Sequence, residues 1–180
     1  MKEFKPVAVF LVKFFVVFFA LTLIYNLYLH NYHQFNLPDP YSAFVTDCTV
    51  STLKAAGFDA VQHTDAENPI IWIGMNREWL TYVNEGCNAI SIMIIFVAFI
   101  IAFSTTWKQT LLYIFGGLVV IQVMNVLRIA LLNYILAYHK EYEKIAHDYF
   151  FPAIIYGTIV LLWIIWVKFF ALKIKKPVDE

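Results

Sequence analysis

The sequence predicts an all-α integral membrane bundle of four transmembrane helices with cytoplasmic N and C termini. To this is joined a small extracytoplasmic segment made of an amphipathic helix and a short β-hairpin. Three observations carry the prediction. Hydrophobic residues make up 61% of the 180-residue chain and charged residues only 14%, where a soluble domain carries roughly a quarter charged. The apolar residues stand in long runs rather than at amphipathic spacing, and the basic residues gather on one side of those runs. A net charge of zero leaves no basic stripe to neutralise phosphates, so no nucleic-acid partner is expected. Cys48 and Cys87 stand at no metal-ligand spacing, which indicates neither a zinc site nor a disulfide framework.

A helix needs about 20 mostly apolar residues to cross a bilayer core. Val7–Leu29 supplies the first span, interrupted only by Lys13 and Asn26. It lacks the small-residue cleavage pattern of a secretory signal and reads as a retained anchor. Pro38-Asp39-Pro40 then precedes Tyr41, Phe44, Val45, Cys48, Thr49, Thr52, Leu53 and Ala56 at helical spacing, and Gly57 suits the helix end. This pattern predicts an amphipathic helix along the membrane surface. Ile70–Gly74 and Trp79–Val83 read as two strands joined at Met75–Glu78, a hairpin delivering the chain to Glu85-Gly86-Cys87. Asn88–Phe103 is a short second span of about 24 Å, crossing with help from its flanks or from local thinning. Thr110–Leu136 is the third span and contains Gly116-Gly117, Asn125, Arg128 and Asn133. Pro152–Leu172 is the fourth, with Pro152 in its first turn. The chain thus divides into a first helix (1–29), an extracytoplasmic segment (30–86) and a three-span unit with a basic tail (87–180).

Orientation follows from charge. Lys2, Lys5, Lys13, Lys108, Lys168, Lys173, Lys175 and Lys176 flank the span ends on one side, which the positive-inside rule assigns to the cytoplasm. Between His30 and Gly86 only Lys54 and Arg77 face Asp39, Asp47, Asp59, Asp65, Glu67, Glu78 and Glu85.

Arg128 is the polar residue least expected in such a chain. A guanidinium within a membrane helix costs at least about 3 kcal/mol and faces protein or a wet cavity. Counting from Lys108, Arg128 lies about 30 Å along the helix axis, near the outer surface, with Asn125 on the same face. Cys87 opens the second span at its outer end, and His147 precedes the fourth at the same edge. A cysteine at a helix N-terminus, facing free N–H groups, favours thiolate. An arginine can steady an oxyanion, and a histidine passes protons near neutral pH. Together they are the parts of a cysteine acyl-transfer site. Singly, each has a plainer reading. Cysteines are commonly small buried hydrophobes, Arg128 would tie helices through Asn125 or Glu85, and interfacial histidines are ordinary. Cys48 reads as packing, with a disulfide to Cys87 second. His30, His33, His63 and His139 read as solvated loop residues. The five tryptophans, and Tyr25, Tyr28 and Tyr32, read as interface anchors or core.

With Glu85-Gly86-Cys87-Asn88-Ala89-Ile90-Ser91, Asn125-Val126-Leu127-Arg128-Ile129 and His147-Asp148-Tyr149 in this order, the chain resembles the exosortase/archaeosortase family of membrane cysteine transpeptidases. The resemblance runs from about Tyr41 onward, and the chain's small size is similar to the compact exosortase F type. The family often has a small residue and then glycine after the cysteine, where this chain has Asn88-Ala89. The resemblance implies a bacterial cytoplasmic-membrane enzyme whose site faces outward, needing no metal or organic cofactor. Its partners are the lipid bilayer and exported proteins that end in a recognition motif, a membrane helix and a basic tail. Cys87, Arg128 and His147 are the implied catalytic residues, and Glu85, Asn88, Asn125 and Asp148 are candidates for positioning substrate. Two other classes stay open: a non-catalytic membrane subunit or assembly factor, and a thiol–disulfide protein using Cys48 and Cys87.

Overall fold

The computed structural model describes residues 5–104 and 106–171. Lys2, Lys173, Lys175, Lys176 and Leu172, which the sequence reading used, lie outside the described residues. In chain order the elements are α1 (Lys5–His33), α2 (Pro40–Ala55), β1 (Ala60–Thr64), β2 (Ile71–Met75), β3 (Glu78–Val83), α3 (Ile90–Ala102), α4 (Trp107–Tyr138), a 3-10 turn (Lys140–Tyr142), α5 (Glu143–Ile145), a π-helical turn (Ala146–Phe150), α6 (Phe151–Trp166) and a π-helical extension (Val167–Ala171).

Among the described residues three stretches are long and apolar enough to cross a membrane: Lys5–His33, Trp107–Tyr138 and Lys140–Phe170. Helix α3 is apolar but only 13 residues long, shorter than a full crossing ordinarily requires. Helix α1 presents Val12, Phe15, Phe19, Leu23 and Leu27 outward. It packs on α3, with the Phe10 ring centroid 5.8 Å from Phe99 and 4.4 Å from Phe103.

Helix α4 is the axis of the molecule. Its 32 residues extend about 48 Å, well beyond a hydrocarbon core of about 30 Å, so it serves two cores. Around its first half, Phe96, Ile100, Ile121, Ile155, Ile159 and Trp166 form an apolar core between α3, α4 and α6. Gly117 belongs here because a Cβ would stand 2.2 Å from the Phe96 ring. Around its second half, Ile129 and Ala130 join Val45, Val50, Leu53, Ala60, Ile73, Met75 and Val83 of α2 and the sheet. Two polar ties away from solvent fix this upper unit to α4. The Tyr41 hydroxyl donates to Gln122 Oε1 (2.7 Å), and Thr81 Oγ1 donates to Asn133 Oδ1 (3.0 Å).

The expected amphipathic helix is α2. Asp39 caps it, its carboxylate accepting from the Tyr41 and Ser42 amides at 3.0 and 3.1 Å. The expected hairpin is also present, β2 and β3 being joined by Asn76 and Arg77 with φ of 54° and 67°, the signature of a type I′ turn. Two strands were too few, however. β1 pairs antiparallel with β2 to make a three-stranded sheet of order β1-β2-β3. Beyond Ala60 its residues are exposed, so the strand leaves no alternation to read. His63 therefore sits in a strand, 5.8 Å from the Trp79 ring, rather than in a loop. His30 and His33 belong to the last turn of α1, not to a loop.

Candidate active site

Cys87 lies in the turn between β3 and α3, three residues before the helix begins at Ile90. The expected placement at the helix N-terminus is thus displaced by one short turn, whose chemistry the sequence explains. The Cys87 amide donates to Asn84 O at 2.9 Å, and the Gly86 amide donates to Asn84 Oδ1 at 3.0 Å. On the other side the Cys87 carbonyl accepts from Asn125 Nδ2 at 2.9 Å. The backbone of the cysteine is therefore held at both ends while its thiol stays half-buried.

Asn88 is a structural knot rather than an open contact residue. Fully buried, it accepts the Ile90 amide on Oδ1 (3.0 Å). Its Nδ2 donates to the Tyr25 hydroxyl (3.0 Å) and to Ser42 Oγ (3.1 Å). One side chain thus ties α1, α2 and the start of α3 together, directly beside the cysteine. Ala89, standing where the family resemblance leads one to expect glycine, adopts left-handed backbone with φ 66°, a region that L side chains disfavour and glycine enters freely. Ala89→Gly is expected to fall within about 1 kcal/mol of the native stability, relief of backbone strain offsetting the lost methyl and the added chain freedom. Ala89→Val, β-branched and in the same conformation, is expected to cost more than about 2 kcal/mol. Thermal unfolding in detergent checks both.

Arg128 sits at the junction of the two cores, one helical turn beyond Asn125, and is half-buried. Cys87 and Arg128 line one cavity of about 170 Å³, whose far wall is Phe151 and Pro152 at the start of α6. On its other side Arg128 faces a second cavity of about 230 Å³ with Glu85, Asn125, Pro152 and Tyr156. The guanidinium interacts electrostatically with Cys87 and Tyr156. Among the described residues no carboxylate forms an ion pair with it; Glu85 instead approaches His33, Oε2 to Nε2 3.8 Å. Asn125 is fully buried, and its Oδ1 has no hydrogen-bond partner among the described residues.

His147 lies in the π-helical turn that leads into Phe151 and Pro152, and its side chain lies outside the described residues. Asp148, in the same turn, is exposed and borders a surface hollow with Lys140, Glu141, Glu143 and Lys144; it lines neither cavity beside Arg128. Of the candidates, then, Cys87, Arg128, Asn125 and Glu85 converge, and Asn88 supports them from below. Sequence singled out Pro152 only as the opening of the fourth span and Tyr156 not at all; their spacing of four on α6 puts them on one helical face.

Cys48, half-buried on α2, is in no disulfide, and neither is Cys87. Burial pushes its thiol up, and the neighbouring Asp47 charge pushes it in the same direction. Since the thiolate is the reactive form, Cys48 is expected to alkylate more slowly than a free thiol at pH 7–8, accelerating as pH rises past the ordinary thiol range. Mass-spectrometric labelling kinetics check this.

Comparison with protein families finds that residues 3–170 match the model described as transmembrane exosortase. Comparisons with curated proteins and with solved structures found no match.

Proposed function

The chain belongs to the transmembrane exosortase family, and on that premise we propose that it is a multi-pass membrane cysteine transpeptidase of the compact exosortase F type. It removes the C-terminal sorting signals of exported proteins at the outer face of the bacterial cytoplasmic membrane. The observation that carries this reading is the single cavity shared by Cys87 and Arg128 and walled by the first residues of α6.

In this reading α3 is the second of four spans. Its support is depth. Phe103, just past the end of α3, packs on Phe10, while Asn88 at its start bonds Tyr25. The segment thus covers about 22 Å of α1. Both termini are cytoplasmic, and the sheet and α2 lie outside.

The Cys87 thiolate attacks the scissile carbonyl, forming an S–C bond and a tetrahedral oxyanion that accepts hydrogen bonds from the Arg128 guanidinium. The oxyanion collapses, the C–N bond breaks, and the leaving amine takes a proton from His147. The exported protein is now a thioester on Cys87, and the tail stays in the membrane. His147 then takes the proton of an acceptor nucleophile that displaces Cys87. Asn125 steadies the cysteine turn through Nδ2 and offers Oδ1 to a substrate N–H, and Glu85 borders the same space. The test is the C-terminal peptide content of membrane and exported proteins in cells carrying native or Cys87-substituted chain. Tails that end in a helix and basic residues must persist only in the latter.

A further inference from the structure

We propose that the segment of the exported protein just before the cleaved bond binds as an added β-strand on the free edge of β3, pairing with the main chain of Tyr82. The inference rests on the reading of Cys87 as nucleophile and adds how substrate is held and aligned.

The argument starts from hydrogen-bond alternation. In an antiparallel ladder, successive residues turn their N–H and C=O alternately toward one neighbour and the other. Just past the β1–β2 ladder the Asp65 amide donates to Ile70 O at 3.0 Å, so the Ile70 carbonyl faces the β1 side. Ile71 then faces β3, and Trp72 faces β1 again. Tyr82 lies opposite Trp72. This is a non-hydrogen-bonded pair, so the Tyr82 N–H and C=O point away from β2. β3 ends the sheet, and no backbone hydrogen bond joins Tyr82 to a residue outside the sheet among the described residues.

That outward pair opens on the site. The cavity holding Cys87 and Arg128 is also lined by Thr81 and Tyr82. Neighbouring residues of a strand point to opposite faces. A cavity touching both must therefore run along the strand edge, where the unpaired groups are. Asn84, the next residue facing this way, already spends its carbonyl on the Cys87 amide, so the free pair at Tyr82 stands one step upstream of the nucleophile's own turn. Main-chain groups in a partly enclosed place call for partners, and an extended peptide supplies both. β3 runs from the Asn76-Arg77 turn toward Cys87. In the proposed orientation an exported chain enters the membrane in that same direction, so the added strand is parallel to β3. Its alignment is sequence-tolerant at the main chain and leaves side-chain selection to the cavity walls.

The test uses purified full-length chain in lipid nanodiscs. Its substrates are synthetic peptides spanning the cleaved bond of an exported protein whose tail is lost only when Cys87 is present. They are unmodified or N-methylated at one amide at a time over the residues before that bond. A parallel partner gives Tyr82 O a single N–H. One N-methyl position is therefore expected to lower the cleavage rate about tenfold or more, with the amides on either side within about threefold of unmodified peptide. Tyr82→Pro, which removes the outward N–H at an edge position where proline is tolerated, is expected to lose a similar factor. Thr64→Pro on the opposite edge, also outward by the same alternation, is expected to cleave at the native rate. Uniform tolerance along the N-methyl scan, equal loss at adjacent amides, or native-rate cleavage by Tyr82→Pro overturns the pairing while leaving the nucleophile in place. Failure of the unmodified peptide to be cleaved in a Cys87-dependent way overturns the functional reading, and the pairing with it.

Discussion

Cys87→Ala is expected to abolish removal of C-terminal tails, lowering it by about a thousandfold or more, while the chain stays at its native abundance. The expectation of normal abundance is structural. The turn carrying Cys87 is held by its own amide on Asn84 and by Asn125 on its carbonyl, and neither bond uses the thiol. The half-buried sulfur packs at the margin of the outer core beside the sheet, so its loss leaves a small, partly solvated gap. Cys87→Ser keeps the shape and loses nearly as much activity, because an alcohol is a far weaker nucleophile than a thiol. Cys48→Ala separates the rivals. A thiol–disulfide protein would need both cysteines equally, whereas the geometry gives Cys48 no share in the cavity. Unchanged tails with native abundance of the Cys87→Ala chain would make this a structural membrane subunit instead.

How far the sequence could be read depended on how the information is stored. Hydropathy is stored locally, so Lys5–His33 and Trp107–Tyr138 were legible within a few residues of their observed ends, whereas the last stretch, read from Pro152, begins at Lys140. Helical spacing after Pro38-Asp39-Pro40 and two apolar runs joined at Met75–Glu78 announced α2 and the hairpin, while the Asp39 cap and the positive φ of Asn76 emerged only in the folded chain. β1 was not legible because an exposed edge strand has no buried face to impose alternation. The site was half legible. Cys87 and Arg128 could be set at one depth from topology and helix rise alone, and they do share a cavity. Asn88 was read as a candidate for positioning substrate, and its structural role could not be read from sequence. Its three hydrogen-bond partners, Tyr25, Ser42 and Ile90, come together only in the folded chain. The left-handed Ala89 likewise belongs to the backbone path and carries no side-chain signal.

The second large effect concerns Arg128, where catalysis and stability are expected to part. A half-buried guanidinium in a membrane helix has lost much of its hydration, and no carboxylate pairs with it among the described residues. Its desolvation is therefore offset only in part, which the proposed reaction would make good by supplying a thiolate and an oxyanion as counter-charge. Arg128→Gln, polar but shorter and uncharged, is expected to lower tail removal by about a hundredfold to a thousandfold, the loss seen when an oxyanion donor is removed. Arg128→Lys keeps the charge as a point on a flexible stem and loses the planar fork, so an intermediate loss of about tenfold is expected. Thermal stability in detergent should be unchanged or higher for Arg128→Gln, since a costly charge has gone and the Asn125 bond to Cys87 O does not involve it. An interhelical tie predicts the reverse order: Arg128→Gln would unfold first and at lower temperature, with activity falling only in step with folded protein. Measuring melting temperature and per-molecule cleavage on the same preparations therefore separates a residue kept for chemistry from one kept to hold the bundle.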